Sequence, residues 1–211
     1  IPQIIDRYVG STDAQMISEF TDTVYVRLCR LLGAIIGLYR QRIGGRYHVL
    51  VPSLQSLLRA FFPVKAGTKR DADGNSLASL RRPERPLHSR MTTEHAVHFT
   101  RLLTSLCDPT LSAVTRPTTG RDALVDVTKA NKQIAGQHMR PLIAFYIRQM
   151  LAAPLPSELR EAFAPGLYAV LDTMLNDTKR GLNDSLDRSG QALFKTLHED
   201  YVKFGKWNNQ G

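Results

Sequence analysis

Ile17, Phe20, Val24, Leu28, Leu31, Ile35 and Leu38 follow one another at intervals of three and four residues. Such spacing returns to one side of an α-helix and scatters over both faces of a strand. It predicts a helix over residues 13–41. Elsewhere too, runs of strict apolar–polar alternation are missing and helical spacing recurs. The fold class expected is all-α.

Ile43, Gly44 and Gly45 should end this first helix in a tight reversal, because glycine tolerates positive φ. A second helix is predicted over 47–62, with Pro52 close to its first turns or kinking it there. Two helices joined by so short a turn would form an antiparallel αα-hairpin. Thr92 or Thr93 caps a third helix that runs to Cys107, where Asp108 and Pro109 stop it. A helical turn is expected at 110–114, a polar loop at 115–121, and a helix start at 123–127. Residues 133–152 carry Ile134, Met139, Leu142, Phe145, Tyr146 and Met150 at helical spacing, and Pro141 kinks that helix or marks its true start. Ser157 should cap a helix over 158–163, with Pro165 opening another that reaches residue 174. Residues 176–188 read as a polar connection. The final helix places Leu193, Leu197, Tyr201 and Phe204 on one face, Gly205 offers a left-handed stop, and Trp207 folds back onto that face. Lys203 and Lys206 stand where cations suit a helix C-terminus. The connections are mostly short, so neighbouring helices should pack as irregular antiparallel pairs.

Residues 28–39 are apolar except for Arg30, and Arg27, Arg40 and Arg42 flank them. A bilayer needs roughly 20 apolar residues, so this stretch is too short to span one. It reads as a helix buried on most sides, with Gly33 and Gly37 one turn apart as in close helix packing. No membrane partner is expected. A chain of 211 residues, 23.7 kDa, fits one domain. At that size roughly 70% of the unfolded surface would be buried, enough for a core of its own. Ile1, in place of an initiator methionine, suggests a piece of a longer protein. Cys29 and Cys107 are too few for a disulfide framework and read as buried thiols of a reducing compartment. The sequons at Asn176 and Asn183 are discounted, since no signal peptide is visible.

Catalytic and metal-binding patterns fare poorly. His95 and His98 are three apart beside Glu94, with His88 upstream, yet zinc needs three or four converging ligands and no HExxH or CxxC spacing supplies them. The DADGN run at 71–75 puts glycine fourth instead of sixth and lacks the glutamate of a calcium loop. Neither a nucleophile elbow nor a phosphate-cradling glycine loop is found. The expectation is a protein without catalytic residues, cofactor, metal or small-molecule substrate.

Charge is the one chemical signal. Lysines and arginines number 28 against 19 acidic residues, giving +9, a field that favours nucleic acid or acidic protein surfaces. Within the glycine-, proline- and charge-rich segment at about 63–91, which reads as a flexible surface loop, lie Lys65, Lys69, Arg70, Arg81, Arg82, Arg85 and Arg90. They are candidate contacts for RNA phosphates or an acidic partner, and a solvated loop is the alternative. Interleaved aromatics, which would stack on unpaired bases, are missing there. Arg40, Arg42 and Arg46 surround the Gly-Gly turn, where a structural role on helix carbonyls is favoured over RNA contact.

Three stretches carry a resemblance when taken in order: RQRIGGRYHVLVPSLQSLLRAFF at 40–62, HFTRLLTSLCDPTLSAV at 98–114 and ALFKTLHEDYVKFGKWNN at 192–209. Together they resemble the C-terminal domain of a nucleolar family, the Urb/Npa second protein, over about residues 24–207. The motif residues are Gly44, Gly45, Arg46 and Pro52 in the first stretch, and Tyr201, Phe204, Gly205, Lys206 and Trp207 in the last. The resemblance implies a pre-ribosome-associated factor of the nucleolus needed for large-subunit precursor rRNA processing, a long chain with this domain last, and no catalytic motif. With the helix order, it also implies the end of an armadillo/HEAT-like α-solenoid. Its implied partners are a large scaffold protein of the same assembly complex and a nearby RNA helicase. Two readings stay open: a protein-docking module, or direct binding of precursor rRNA through the 65–90 loop. Tyr201, Phe204 and Trp207 are the first residues to test as docking contacts, although closure of the domain's own core is the more economical role for them.

Overall fold

The structure is a computed structural model, and it describes residues 14–62, 91–107 and 127–205. Among the described residues every regular element is helical. α1 spans Ala14–Tyr39 and passes into a 3-10 turn, Arg40–Gly45, before α2, Tyr47–Arg59. α3 spans Thr93–Cys107, α4 Val127–His138 and α5 Arg140–Ala152. α6 is Ser157–Thr173, α7 Asn176–Asp184 and α8 Arg188–Asp200, which ends in a π turn at Tyr201–Gly205. The expected loops at 63–90 and 115–121 and the helical turn at 110–114 lie outside the described residues.

α3 and α6 form the closest helix pair and the centre of the molecule. The approach depends on Gly166, because a Cβ there would stand 3.1 Å from the Thr100 Cα. Pro165 stays inside α6 and does not start a new helix. Its ring removes the N–H that would bond the Glu161 carbonyl. One residue on, the Ala162 carbonyl accepts the Thr100 hydroxyl at 2.7 Å. α4 crosses the far end of α6, where Gly136 lies so close that an added Cβ would overlap the Thr173 carbonyl.

Aromatic rings knit the centre together. Phe163 of α6 meets Phe61 edge-on at 4.8 Å, Phe99 of α3 at 5.9 Å and Tyr146 of α5 at 6.5 Å. Tyr25 of α1 adds a T-shaped contact with Phe61 at 5.6 Å. Each such pair adds about 0.5–1.5 kcal/mol beyond its buried area. Leu54, Leu57 and Leu58 of α2 and Leu142, Ile143 and Ile147 of α5 fill the other side.

Several expectations change. α1 lies chiefly on α3, and α2 on α5, so their main packing is with other helices and not with each other as a hairpin. Residues 133–152 divide at the fully buried Met139, and of the two outcomes expected of Pro141 it marks the true start, in the first turn of α5, where a missing N–H costs least. Pro156, not Ser157, is the N-cap of α6. Residues 176–184 form α7 in place of a polar connection; Leu182 is its one buried residue, too little to register as a period. Asp187 caps α8, accepting from the Gly190 N–H at 3.0 Å. Thr92 caps α3 as expected, its carbonyl taking the first helical N–H, from Ala96.

Candidate docking surface

The C-terminal motif splits into an inward and an outward part. Tyr201 is buried, and its hydroxyl donates to Asp172 of α6 at 3.0 Å. Asp172 also lies 4.0 Å from the Lys132 ammonium of α4, and Lys179 of α7 stands over the Tyr201 ring. Burial first, and the Asp172 carboxylate second, push the Tyr201 phenol up to about 12. Gly205 is buried on the same side. Its φ is not positive, so the expected left-handed stop does not occur; a side chain there would strike Tyr201 Cδ2 at 2.7 Å and Tyr168 Cβ at 3.1 Å. The π turn shifts the helical register, and Phe204 leaves the face it was expected to share with Leu193, Leu197 and Tyr201. Phe204 is 54% exposed beside exposed Val202, with the Lys203 ammonium 5.0 Å from its ring. Lys206 and Trp207 lie outside the described residues.

The Gly-Gly turn is likewise a packing device. Gly44 and Gly45 close the 3-10 turn without positive φ, and a Cβ added at Gly44 would meet the Ile134 side chain of α4 at 3.8 Å. Arg46 is exposed, its backbone N–H bonded to the Ile43 carbonyl, and Pro52 sits on the exposed side of α2. Arg40 does the structural work expected of this cluster, but on another helix. Its guanidinium donates at 2.5 Å to the Ser105 carbonyl in the last turn of α3, where carbonyls lack helical donors. Burial is the main cause that lowers the Arg40 pKa. Beside it, Tyr47 stacks on His138 with ring centroids 4.9 Å apart.

Among the described residues, His95 and Cys29 are absorbed by the fold. The Thr92 N–H and hydroxyl both lie within hydrogen-bond distance of His95 Nδ1, at 3.2 and 2.9 Å. The backbone donor makes Nδ1 the acceptor, so His95 stands where a capping box has its glutamate. Its Nε2 points toward Asp22, 3.7 Å away. His98 has its pKa lowered by burial first and by Arg30 and Arg101 next. Burial pushes the Cys29 thiol up to about 12, which leaves it a poor nucleophile. Among the described residues no group of three or more His, Cys, Asp or Glu could hold a metal ion, and no helix is long and apolar enough to cross a membrane. Lys65, Lys69, Arg70, Arg81, Arg82, Arg85 and Arg90 all lie outside the described residues.

The structure shows a surface that the sequence reading missed. α1 is not buried on most sides. Cys29, Leu32 and Ile36 face inward, while Leu31, Ile35 and Leu38 are 53%, 41% and 79% exposed, with exposed Tyr39 at the end. A Cβ added at Gly37 would meet nothing within 4 Å and one at Gly33 only Leu102 Cδ1 at 3.8 Å, so this glycine pair makes no close crossing. Arg27 and Arg30 were the available signal. On a helical wheel they border Leu31 and Leu38, and charges on that arc place it toward solvent.

A sequence model of the Urb2/Npa2 family matches residues 3–210, which takes in every described element. A curated relative, the "Probable nucleolar pre-ribosomal-associated protein 2" of Schizosaccharomyces pombe (strain 972), is 21% identical over 184 residues. The match covers 87% of this chain but only 13% of that protein. No solved structure matches the chain. With the family match running across almost its whole length, this chain belongs to the Urb2/Npa2 family.

Proposed function

We propose that this chain is a non-catalytic docking module of a nucleolar ribosome-assembly factor, acting in early large-subunit precursor particles and supporting processing of their rRNA. The family membership supports the process, as does the name of the fission-yeast relative. The observation that carries the docking reading is the division at the C-terminus. Tyr201 and Gly205 are spent on the core, and Phe204 and Val202 are held outward on a turn fixed by them. A rigid scaffold that presents an apolar side chain loses little entropy when a partner covers it. The partner we assign is a large scaffold protein of the same assembly complex, with an RNA helicase in the neighbourhood.

The second reading, direct contact with precursor rRNA through the 65–90 segment, is favoured by the charge of +9 alone. A salt titration separates the two. Binding through phosphates weakens steeply as salt rises, whereas a packed apolar interface changes little. For the docking reading, Phe204→Ala in the full-length protein should release the scaffold partner while precursor rRNA affinity is unchanged. Retention of the partner by that variant, together with loss of RNA on charge reversal at Arg81, Arg82 and Arg85, would overturn it.

A further inference from the structure

α1 packs against α3 and the 3-10 turn that follows it, and its opposite side carries an unpartnered apolar stripe. Leu31, Ile35 and Leu38 recur at four and three residues, and exposed Ala34 lies between them. Half-buried Val24 and Leu28 extend the same arc, so the stripe follows roughly 20 Å of helix. Exposed Arg27 lies on the same arc, one turn before Leu31, exposed Arg30 borders it, and neither pairs with a carboxylate among the described residues. Arrays of stacked helices end in units with a polar outer face, because an apolar one would stay wet. The outer face of α1 lacks that polar character.

We infer that this stripe is covered, in the natural full-length protein, by an amphipathic helix from the part of the same polypeptide beyond residues 1–211, with acidic residues bordering its apolar face. Two observations select that occupant. First, the match to the fission-yeast relative covers 13% of that protein, so a family member has a long further stretch of chain to supply the helix. A tethered helix meets the stripe at a millimolar effective concentration, so modest contact area suffices. Second, the charges disfavour a second copy of α1. In an antiparallel pair centred on the stripe, Leu31 would face Leu38 of the other copy, and residues 28–42, which hold no Asp or Glu, would offer Arg27 and Arg30 no opposite charge. A helix flanked by Asp or Glu instead neutralises Arg27 and Arg30 while its apolar residues cover Leu31, Ile35 and Leu38. This inference rests on the family assignment and is independent of any docking role for Phe204.

The test places a photo-crosslinking benzoylphenylalanine at position 38 of the full-length protein. Leu38 is 79% exposed, so the substitution leaves the core untouched. The purified protein is irradiated and its adducts mapped by mass spectrometry. The expected result is an intramolecular link from position 38 to a peptide of the same chain outside residues 1–211, with acidic residues beside its apolar ones. A link to a separate protein, to RNA, to a peptide within residues 1–211, or to a second copy (detected by mixing isotopically distinct preparations) would overturn the inference, as would the lack of any adduct. Maleimide labelling gives an independent readout. Ile35→Cys in the full-length protein should react at least about tenfold more slowly than Val49→Cys on α2, since a covering helix screens the thiol. Equal rates would contradict coverage.

Discussion

α1 and α6 are the two longest described helices, and they are buried in opposite ways. α1 is the more apolar by sequence, yet it turns Leu31, Ile35 and Leu38 to solvent and rests mainly on α3. α6 contains a proline and three carboxylates, yet α3, α4 and the C-terminal π turn all pack against it. Apolar content therefore does not decide how much of a helix is enclosed. Close approach does, and it needs a small residue facing a backbone. Gly166 provides this in α6 and Gly136 in the crossing α4, whereas Gly33 and Gly37 of α1 provide space that no neighbour uses.

The largest effect should come from the aromatic hub. Phe163→Ala is expected to cost about 3–5 kcal/mol in chemical denaturation, while Leu38→Ala costs less than about 0.5 kcal/mol in these 211 residues. Equal costs would erase the contrast between the helices. Next, Gly136→Ala should cost about 2–3 kcal/mol because its methyl group displaces the Thr173 carbonyl. Gly37→Ala, in open space, should stabilise by about 0.5–1 kcal/mol through helix propensity. Thr100→Val tests the α3–α6 hydrogen bond and should cost about 1 kcal/mol, since the Ala162 carbonyl loses its cross-helix donor. The last prediction has no effect at neutral pH. Burial raises Tyr47 and Tyr146 to about 12, as it does Tyr201 and Cys29. Below about pH 8 both folded and unfolded states hold these protons. Above it the unfolded chain releases them first, Cys29 before the tyrosines, so stability should fall between about pH 8 and 12. A flat denaturation midpoint across that window would mean these groups are not buried as described.

The all-α class was legible because apolar spacing of threes and fours runs through most of the chain. The start of α3 was legible in Thr92. The family was legible in three short stretches whose order carried more information than any one of them. α7 was hidden because a single Leu182 holds it to the core. Pro165 misled because a proline inside a helix reads as a boundary until a neighbour such as Thr100 engages the disturbed turn. Gly136 and Gly166 carried no signal, since an isolated glycine resembles any other until its neighbour is known. The candidate site was half legible. The Tyr201–Gly205 motif drew attention to the right segment, but the π turn that separates buried Tyr201 from exposed Phe204 has no signature in the spacing.

The most direct test of the docking account is recovery of the tagged full-length protein from cell extract before and after nuclease digestion, followed by identification of what stays bound. The account predicts that a large scaffold protein of the assembly complex remains after the RNA is gone. Loss of every ribosome-assembly partner on digestion would contradict it and assign the attachment to RNA.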